Sequence, residues 1–248
     1  MLALRSFLFL LFNTLTVIPF AFLSILILPF PLHVRYYLII KWTALVVWGA
    51  RFFCGIRWEL EGAENLPDGP CVLLSKHQSA WETMWIPSHM PREVCFVYKR
   101  ELHWVPFFGW GIASLRMIHI DRNQGRGAFE SVVSQGSQRL AEGRWIIMFP
   151  EGTRVPVGEH RPYKQGGTRL ATRLEVPVVP IAHNAGHCWP RNSFIKHPGL
   201  ITVSIGPPIP SIGKSSETLM NEVEAWIEAE VRRLDPTIVQ HDAAQVPA

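Results

Sequence analysis

The sequence predicts an α/β fold, a sheet with helices on both faces, preceded by N-terminal helices that associate with a membrane. Three observations carry this. From Arg57 onward, short apolar runs of strand length alternate with segments of helical length. Ahead of them, Ser6 to Phe30 is almost wholly apolar and uncharged, long enough to span a hydrocarbon core of about 30 Å. The composition agrees: 48% of residues are hydrophobic and only 18% charged, against roughly 25% charged in an ordinary soluble domain. At 248 residues the chain can bury a full core. It divides most simply into membrane-anchoring helices over 1–57, a globular α/β domain over 58–235 and a loose tail over 236–248.

Taken in order, the first apolar segment is interrupted at Pro19, which kinks a helix or breaks it into a re-entrant hairpin. A cleaved signal peptide is disfavoured, because the segment exceeds the usual apolar region of about 7 to 15 residues and no small-residue cleavage site follows. The second apolar segment, Tyr36 to Ile56, carries Lys41 and Arg51 among Trp42, Trp48, Phe52 and Phe53. Cations interleaved with aromatics suit a helix at headgroup level or packed beside the first.

Next, Trp58 to Leu60 reads as a strand, and the turn-rich Glu64 to Pro70 leads into a second strand at Cys71 to Leu74. Further strands are expected at Val94 to Tyr98, Met117 to Asp121, Trp145 to Phe149, Val178 to Ala182 and Ile201 to Ile205. Helices are expected after Ser79, around Pro106 to Leu115, and over Arg126 to Glu142 and Gly166 to Glu175. A last helix over Ser215 to Leu234 is amphipathic, with Leu219, Val223, Trp226, Ile227 and Val231 on one face.

Charge and cysteine usage narrow the function classes. A formal net charge of +4 suits an anionic membrane surface or a phosphate-bearing substrate. No basic cluster or zinc spacing of a nucleic-acid reader is present, so no nucleic-acid partner is expected. Cys54, Cys71, Cys95 and Cys188 are widely separated and suggest a reducing compartment without a disulfide framework. No metal-ligand spacing, P-loop or Gly-x-Ser-x-Gly elbow occurs; Gly213-Lys214-Ser215 lacks the earlier glycine, whose place Pro208 takes. No metal and no tightly held cofactor are expected.

The candidate chemistry gathers at strand ends. In Ser75-Lys76-His77-Gln78-Ser79-Ala80-Trp81-Glu82, Ser79 and Glu82 form a capping box that starts a helix, which places His77 in a strand-to-helix turn. There a carboxylate one helical turn in can hold one imidazole nitrogen and leave the other free as a base. Read alone, the pair also fits a plain cap beside a polar loop histidine. A second cluster, Phe149-Pro150-Glu151-Gly152-Thr153-Arg154, follows another strand. Gly152 permits a tight turn, Thr153 offers a hydroxyl and Arg154 a planar fork of donors for a phosphate. A third strand end supplies Asp121-Arg122, and Lys99 follows the strand ending at Tyr98.

These blocks resemble the glycerolipid acyltransferase family, specifically its bacterial 1-acylglycerol-3-phosphate acyltransferases. The family's His and acidic residue separated by four others are matched by His77 and Glu82, though Glu stands where Asp is usual. Its arginine block is matched by Met117 to Arg122, its Phe-Pro-Glu-Gly-Thr-Arg block by Phe149 to Arg154, and its Val/Pro-rich strand by Val176 to Ile181. The resemblance implies a mixed sheet flanked by helices, glycerolphosphate acyltransferase-like, over residues 58–235. It implies acyl transfer from acyl-CoA or acyl carrier protein to the sn-2 hydroxyl of lysophosphatidic acid, giving phosphatidic acid at a lipid membrane. His77 and Glu82 would be catalytic, and Arg122, Glu151, Gly152, Thr153, Arg154 and Lys99 would form the phosphate site. The expected location is the bacterial inner membrane, with the catalytic domain on the cytoplasmic face. Another lipid acceptor, or a non-catalytic membrane-anchored lipid-binding protein, is the alternative.

Overall fold

The computed structural model describes residues 1–105, 108–121 and 126–235. The tail expected from Pro236 lies outside them. Within them the chain forms two compact units, one of Met1–Cys54 with Thr83–Ile147, the other of Gly55–Glu82 with the residues from Met148 onward.

In the first unit, α1 (Leu2–Leu26) and α2 (Leu32–Cys54) form an antiparallel hairpin. Arg5 Nε donates to the carbonyl of Phe53 at 2.7 Å, and Trp42 Nε1 donates to Thr16 Oγ1 at 3.3 Å. Gly49 admits the Phe12 ring, since a Cβ there would stand 2.5 Å from Phe12 Cε1. Pro19 lies inside α1 without ending it, and the reversal falls instead between the two helices. Both helices are long and apolar enough to cross a membrane. Leu4, Phe7, Leu15, Ile18, Phe22 and Leu26 of α1 are exposed, a run of apolar surface that water does not favour. Alkaline carbonate extraction of cell membranes should therefore leave the protein in the pellet; full release into the supernatant would show that the hairpin does not insert stably.

The same unit holds β3 (Val94–Lys99), β4 (Ile118–Ile120) and β5 (Trp145–Met148), parallel and in the order β5-β3-β4. Helices α4 (Phe108–Ser114) and α5 (Arg126–Ala141) lie in the connections between them, as parallel pairing requires. Tyr36 of α2 is buried, and its hydroxyl accepts from Val94 N–H at 2.8 Å, which fastens the hairpin to the start of β3.

In the second unit, β1 (Ile56–Glu61), β2 (Val72–Ser75), β6 (Val178–His183) and β7 (Gly199–Ile205) run in the order β1-β7-β6-β2. β1 is parallel to β7 and β2 to β6, whereas β6 and β7 are antiparallel, so the sheet is mixed. Every residue of β2 and β6 is buried, which explains why their sequences are near-continuous apolar runs rather than alternating ones. Helix α3 (Trp81–His89) starts after β2, α6 (Gly166–Leu174) precedes β6, and the short α7 (Ala185–Cys188) follows β6.

Helix α8 (Ser216–Leu234) buries Leu219, Val223, Ile227 and Val231. Its N-cap is Ser215, whose Oγ accepts from Thr218 N–H at 3.0 Å. Trp226 is only half-buried, and its ring closes over Gly206, where a Cβ would stand 2.6 Å away. All four cysteines are buried and none forms a disulfide.

Candidate active site

The second unit builds its site around the end of β2, where the main-chain N–H and C=O groups of Lys76 and His77 are all engaged. Lys76 N–H donates to the carbonyl of Ile181 at 2.9 Å, and the Lys76 carbonyl accepts from His183 Nε2 at 2.9 Å. His77 N–H donates to Glu151 Oε2 at 2.7 Å, and the His77 carbonyl accepts from Val155 N–H at 2.8 Å. A residue held on both sides of its Cα keeps its side chain aimed, the pre-organisation that a catalytic group requires.

The side chain of His77 is equally constrained. Its Nδ1 lies 2.8 Å from Glu82 Oε1, and because a carboxylate only accepts, Nδ1 carries the proton. The ring stacks on Phe149, with centroids 4.0 Å apart and planes 18° from parallel. Nε2 is left with its lone pair and with no partner among the described residues. The extra methylene of Glu82 is absorbed by the turn, since the carboxylate still reaches the imidazole.

Glu82 performs both roles that the sequence left open. It is 1% exposed, and the oxygen that holds His77 also accepts from Gln78 N–H at 3.1 Å and Ser79 N–H at 3.0 Å. Ser79 Oγ in turn accepts from Trp81 N–H at 3.0 Å and completes the cap. Burial pushes the Glu82 carboxyl up, but the hydrogen bonds that it accepts from His77 and from Ser79 N–H oppose this and hold the group below its ordinary value. His183 is itself buried. Its Nε2–H serves the Lys76 carbonyl and its Nδ1 accepts from Ala185 N–H at 3.3 Å, the pattern of a neutral ring, and burial pushes its pKa down.

A pH prediction follows from Glu82. A carboxyl that is a stronger acid folded than unfolded contributes stability that is complete above about 4.5 and lost as pH falls through the lower folded value. The melting temperature of the wild type should therefore exceed that of Glu82→Gln at neutral pH, and the gap should close on acidification. A gap that is constant down to acid unfolding would show that Glu82 is not ionised by its surroundings.

Phe149 to Arg154 leaves the end of β5 through a tight turn, closed by Gly152 N–H donating to the Phe149 carbonyl at 3.0 Å. Gly152 has φ +70°, the left-handed region, and a Cβ there would also stand 2.9 Å from Lys164 Nζ. Thr153 and Arg154 are half-buried, and Arg154 Nε is buried with no hydrogen-bond partner among the described residues. Val155, beside Arg154, is the residue that bonds to the His77 carbonyl, so the arginine's backbone is anchored one residue from the histidine's.

Glu151 departs from the phosphate-site expectation. It is fully buried, one oxygen accepts from His77 N–H, and the other lies 2.8 Å from the ammonium of Lys76. A carboxylate turned inward onto these donors supports the histidine from below and does not reach a substrate anion. Lys99 lies in the other unit, exposed at the end of β3. Arg122 lies outside the described residues. Among the described residues no cluster of His, Cys, Asp and Glu is placed to hold a metal ion.

Sequence reading missed Lys76, His183 and Phe149. Lys76 and Phe149 lie inside motifs that it had singled out and His183 lies just beyond one, and Lys76 carried a signal: a lysine at the end of a buried strand, where burial demands a partner.

The acyltransferase family model matches residues 57–184. The chain is 41% identical over 239 residues to the 1-acyl-sn-glycerol-3-phosphate acyltransferase of Pseudomonas aeruginosa, covering 94% of this chain and 93% of that one. To the human 1-acyl-sn-glycerol-3-phosphate acyltransferase alpha it is 32% identical over 178 residues, 70% of this chain and 62% of that one. The fold matches the crystal structure of the 1-acyl-sn-glycerophosphate acyltransferase from Thermotoga maritima with a TM-score of 0.76 at 22% identity, covering 93% of this chain and 95% of that one.

Proposed function

The chain belongs to the acyltransferase family, and on that premise we propose that it transfers a fatty acyl group from an acyl thioester to the sn-2 hydroxyl of lysophosphatidic acid, giving phosphatidic acid. The donor is acyl-CoA or acyl carrier protein. The observation that carries the reading is the His77–Glu82 pair, with Nδ1–H held by a buried carboxylate and Nε2 free at a strand end.

The chemistry then runs without a protein nucleophile. Nε2 of His77 takes the proton of the acceptor hydroxyl as its oxygen attacks the thioester carbonyl. Glu82 stabilises the imidazolium that forms, without itself taking the proton. The tetrahedral adduct collapses, the carbon–sulfur bond breaks, and the imidazolium returns its proton to the departing thiolate. The new ester and a free thiol are the products.

Arg154 is the cation that grips the acceptor's phosphate, a role supported by its buried, unpartnered Nε and by the bond from Val155 to His77. Gly152 and Thr153 shape that turn. Arg122 is proposed as a further cation for the phosphate, on its charge and its place in the sequence alone. The exposed apolar surface of α1 supports a membrane location, proposed as the inner membrane with the catalytic residues on the cytoplasmic side, where a water-insoluble acceptor and product reside.

The test is thiol release by the purified protein from acyl-CoA and from acyl carrier protein, with lysophosphatidic acid or a lysophospholipid lacking a phosphate monoester as acceptor. Release that depends on lysophosphatidic acid supports the reading. Preference for an acceptor without the monoester, or no turnover with any acceptor, would overturn it.

A further inference from the structure

Beneath His77 lies a buried ion cluster that the reaction described above does not use. Lys76 is 1% exposed, and its ammonium stands 2.8 Å from Glu151 Oε1 and 2.8 Å from Glu228 Oε1. Glu228 is a residue of α8, and the same oxygen accepts from the hydroxyl of Tyr163 at 2.7 Å. The Tyr163 ring also faces the ammonium, 5.7 Å from its centroid. Removing a cation and two carboxylates from water carries a desolvation cost that apolar packing of the same volume would avoid. Stability alone is therefore a poor reason for the cluster.

Its connections give another. The second oxygen of Glu151 receives the backbone N–H of His77, so the cluster ends on the main chain of the base itself. Burial pushes the Glu151 carboxyl up and Lys76 opposes that rise, while Lys76 and Tyr163 overcome burial at Glu228 and hold its carboxyl down. Glu151 is thus held by Lys76 at one oxygen and by His77 N–H at the other, and Lys76 is held in turn by α8.

We infer that Glu228, with Tyr163, is a positioning residue for acyl transfer: α8 holds Lys76, Lys76 holds Glu151, and Glu151 fixes the backbone of His77. Glu228 lies beyond residues 57–184, the span that the family model matches. The inference rests on the reading of His77 as the base. It gives α8 a part in the chemistry beyond covering the sheet.

The test compares Glu228→Leu with Val223→Ala, an α8 core change outside the cluster, in the full-length protein with acyl-CoA and lysophosphatidic acid. Misplacing a catalytic group by about 1 Å costs up to about 100-fold, so kcat of Glu228→Leu should fall about 10- to 100-fold. KM for both substrates should change little, because the ground-state contacts are untouched. Hydrogen exchange at the His77 amide should quicken in Glu228→Leu and stay protected in Val223→Ala, even where the two melt at the same temperature. Unchanged protection of that amide, or an unchanged kcat in the folded fraction, overturns the inference. If Glu228→Leu does not fold, Glu228→Gln and Tyr163→Phe carry the same two readouts with smaller changes of the same sign. A wild type inactive on lysophosphatidic acid would overturn the substrate reading, and the amide exchange would still decide this one.

Discussion

His77→Ala should lower kcat by about 10²- to 10⁴-fold and leave the fold intact. The ring touches Glu82 and Phe149, and the main chain, which carries the structural hydrogen bonds of this turn, is unaltered by the substitution. Circular dichroism and the melting temperature check the fold, and thiol release checks the rate. Retention of more than about a tenth of the activity would remove His77 from the role of base. Glu82→Gln should be milder in rate, since an amide oxygen can still accept from Nδ1–H while giving up the charge that favours the imidazolium. A cap alone would predict the reverse balance, about 1 kcal/mol of lost stability with a near-normal rate in the folded fraction.

Arg154→Ala should weaken use of lysophosphatidic acid by roughly 10- to 150-fold, the equivalent of one charge-assisted hydrogen bond of about 1.5 to 3 kcal/mol. The loss should depend on the acceptor. One lacking a phosphate monoester has no dianion to grip, so its rate should change little. Arg154→Lys should restore only part of the activity, because an ammonium cannot form the bidentate fork. Arg122→Ala should act in the same sense if both arginines hold one phosphate, with the double variant less than additive. Equal fractional losses for both acceptor types would mean that Arg154 holds the fold or the donor instead.

Local spacing made much of this legible. The alternation of apolar runs located the strands of both units to within a residue or two, and Ser215 was readable as the start of α8. The separation of His77 from Glu82 foretold their hydrogen bond because a strand-to-helix turn brings such positions together whatever surrounds them. Gly152 was readable for the same reason, since its positive φ is a property of the turn itself.

What escaped depends on contacts between distant parts of the chain. His183 reaches the Lys76 carbonyl across 107 positions, and Glu228 reaches the Lys76 ammonium across 152, distances over which no periodicity operates. Glu151 shows the limit most clearly. The sequence placed it at a strand end beside an arginine, but only packing decides that its carboxylate turns inward to His77 N–H and Lys76 rather than outward to a ligand. At Pro19 the sequence left two outcomes open, a kinked helix or a hairpin broken at the proline, and α1 continues through it to Leu26.

Direct acyl transfer to lysophosphatidic acid, with His77 as the base, makes phosphatidic acid and free thiol in step. It is tested most directly by measuring phosphatidic acid and free thiol together, by mass spectrometry and a thiol reagent, for the wild type and His77→Ala given acyl-CoA and lysophosphatidic acid. The wild type should give equal amounts of the two products, with the new acyl group at sn-2, and His77→Ala little of either. Thiol released without phosphatidic acid, or phosphatidic acid formed by His77→Ala at the wild-type rate, would contradict it.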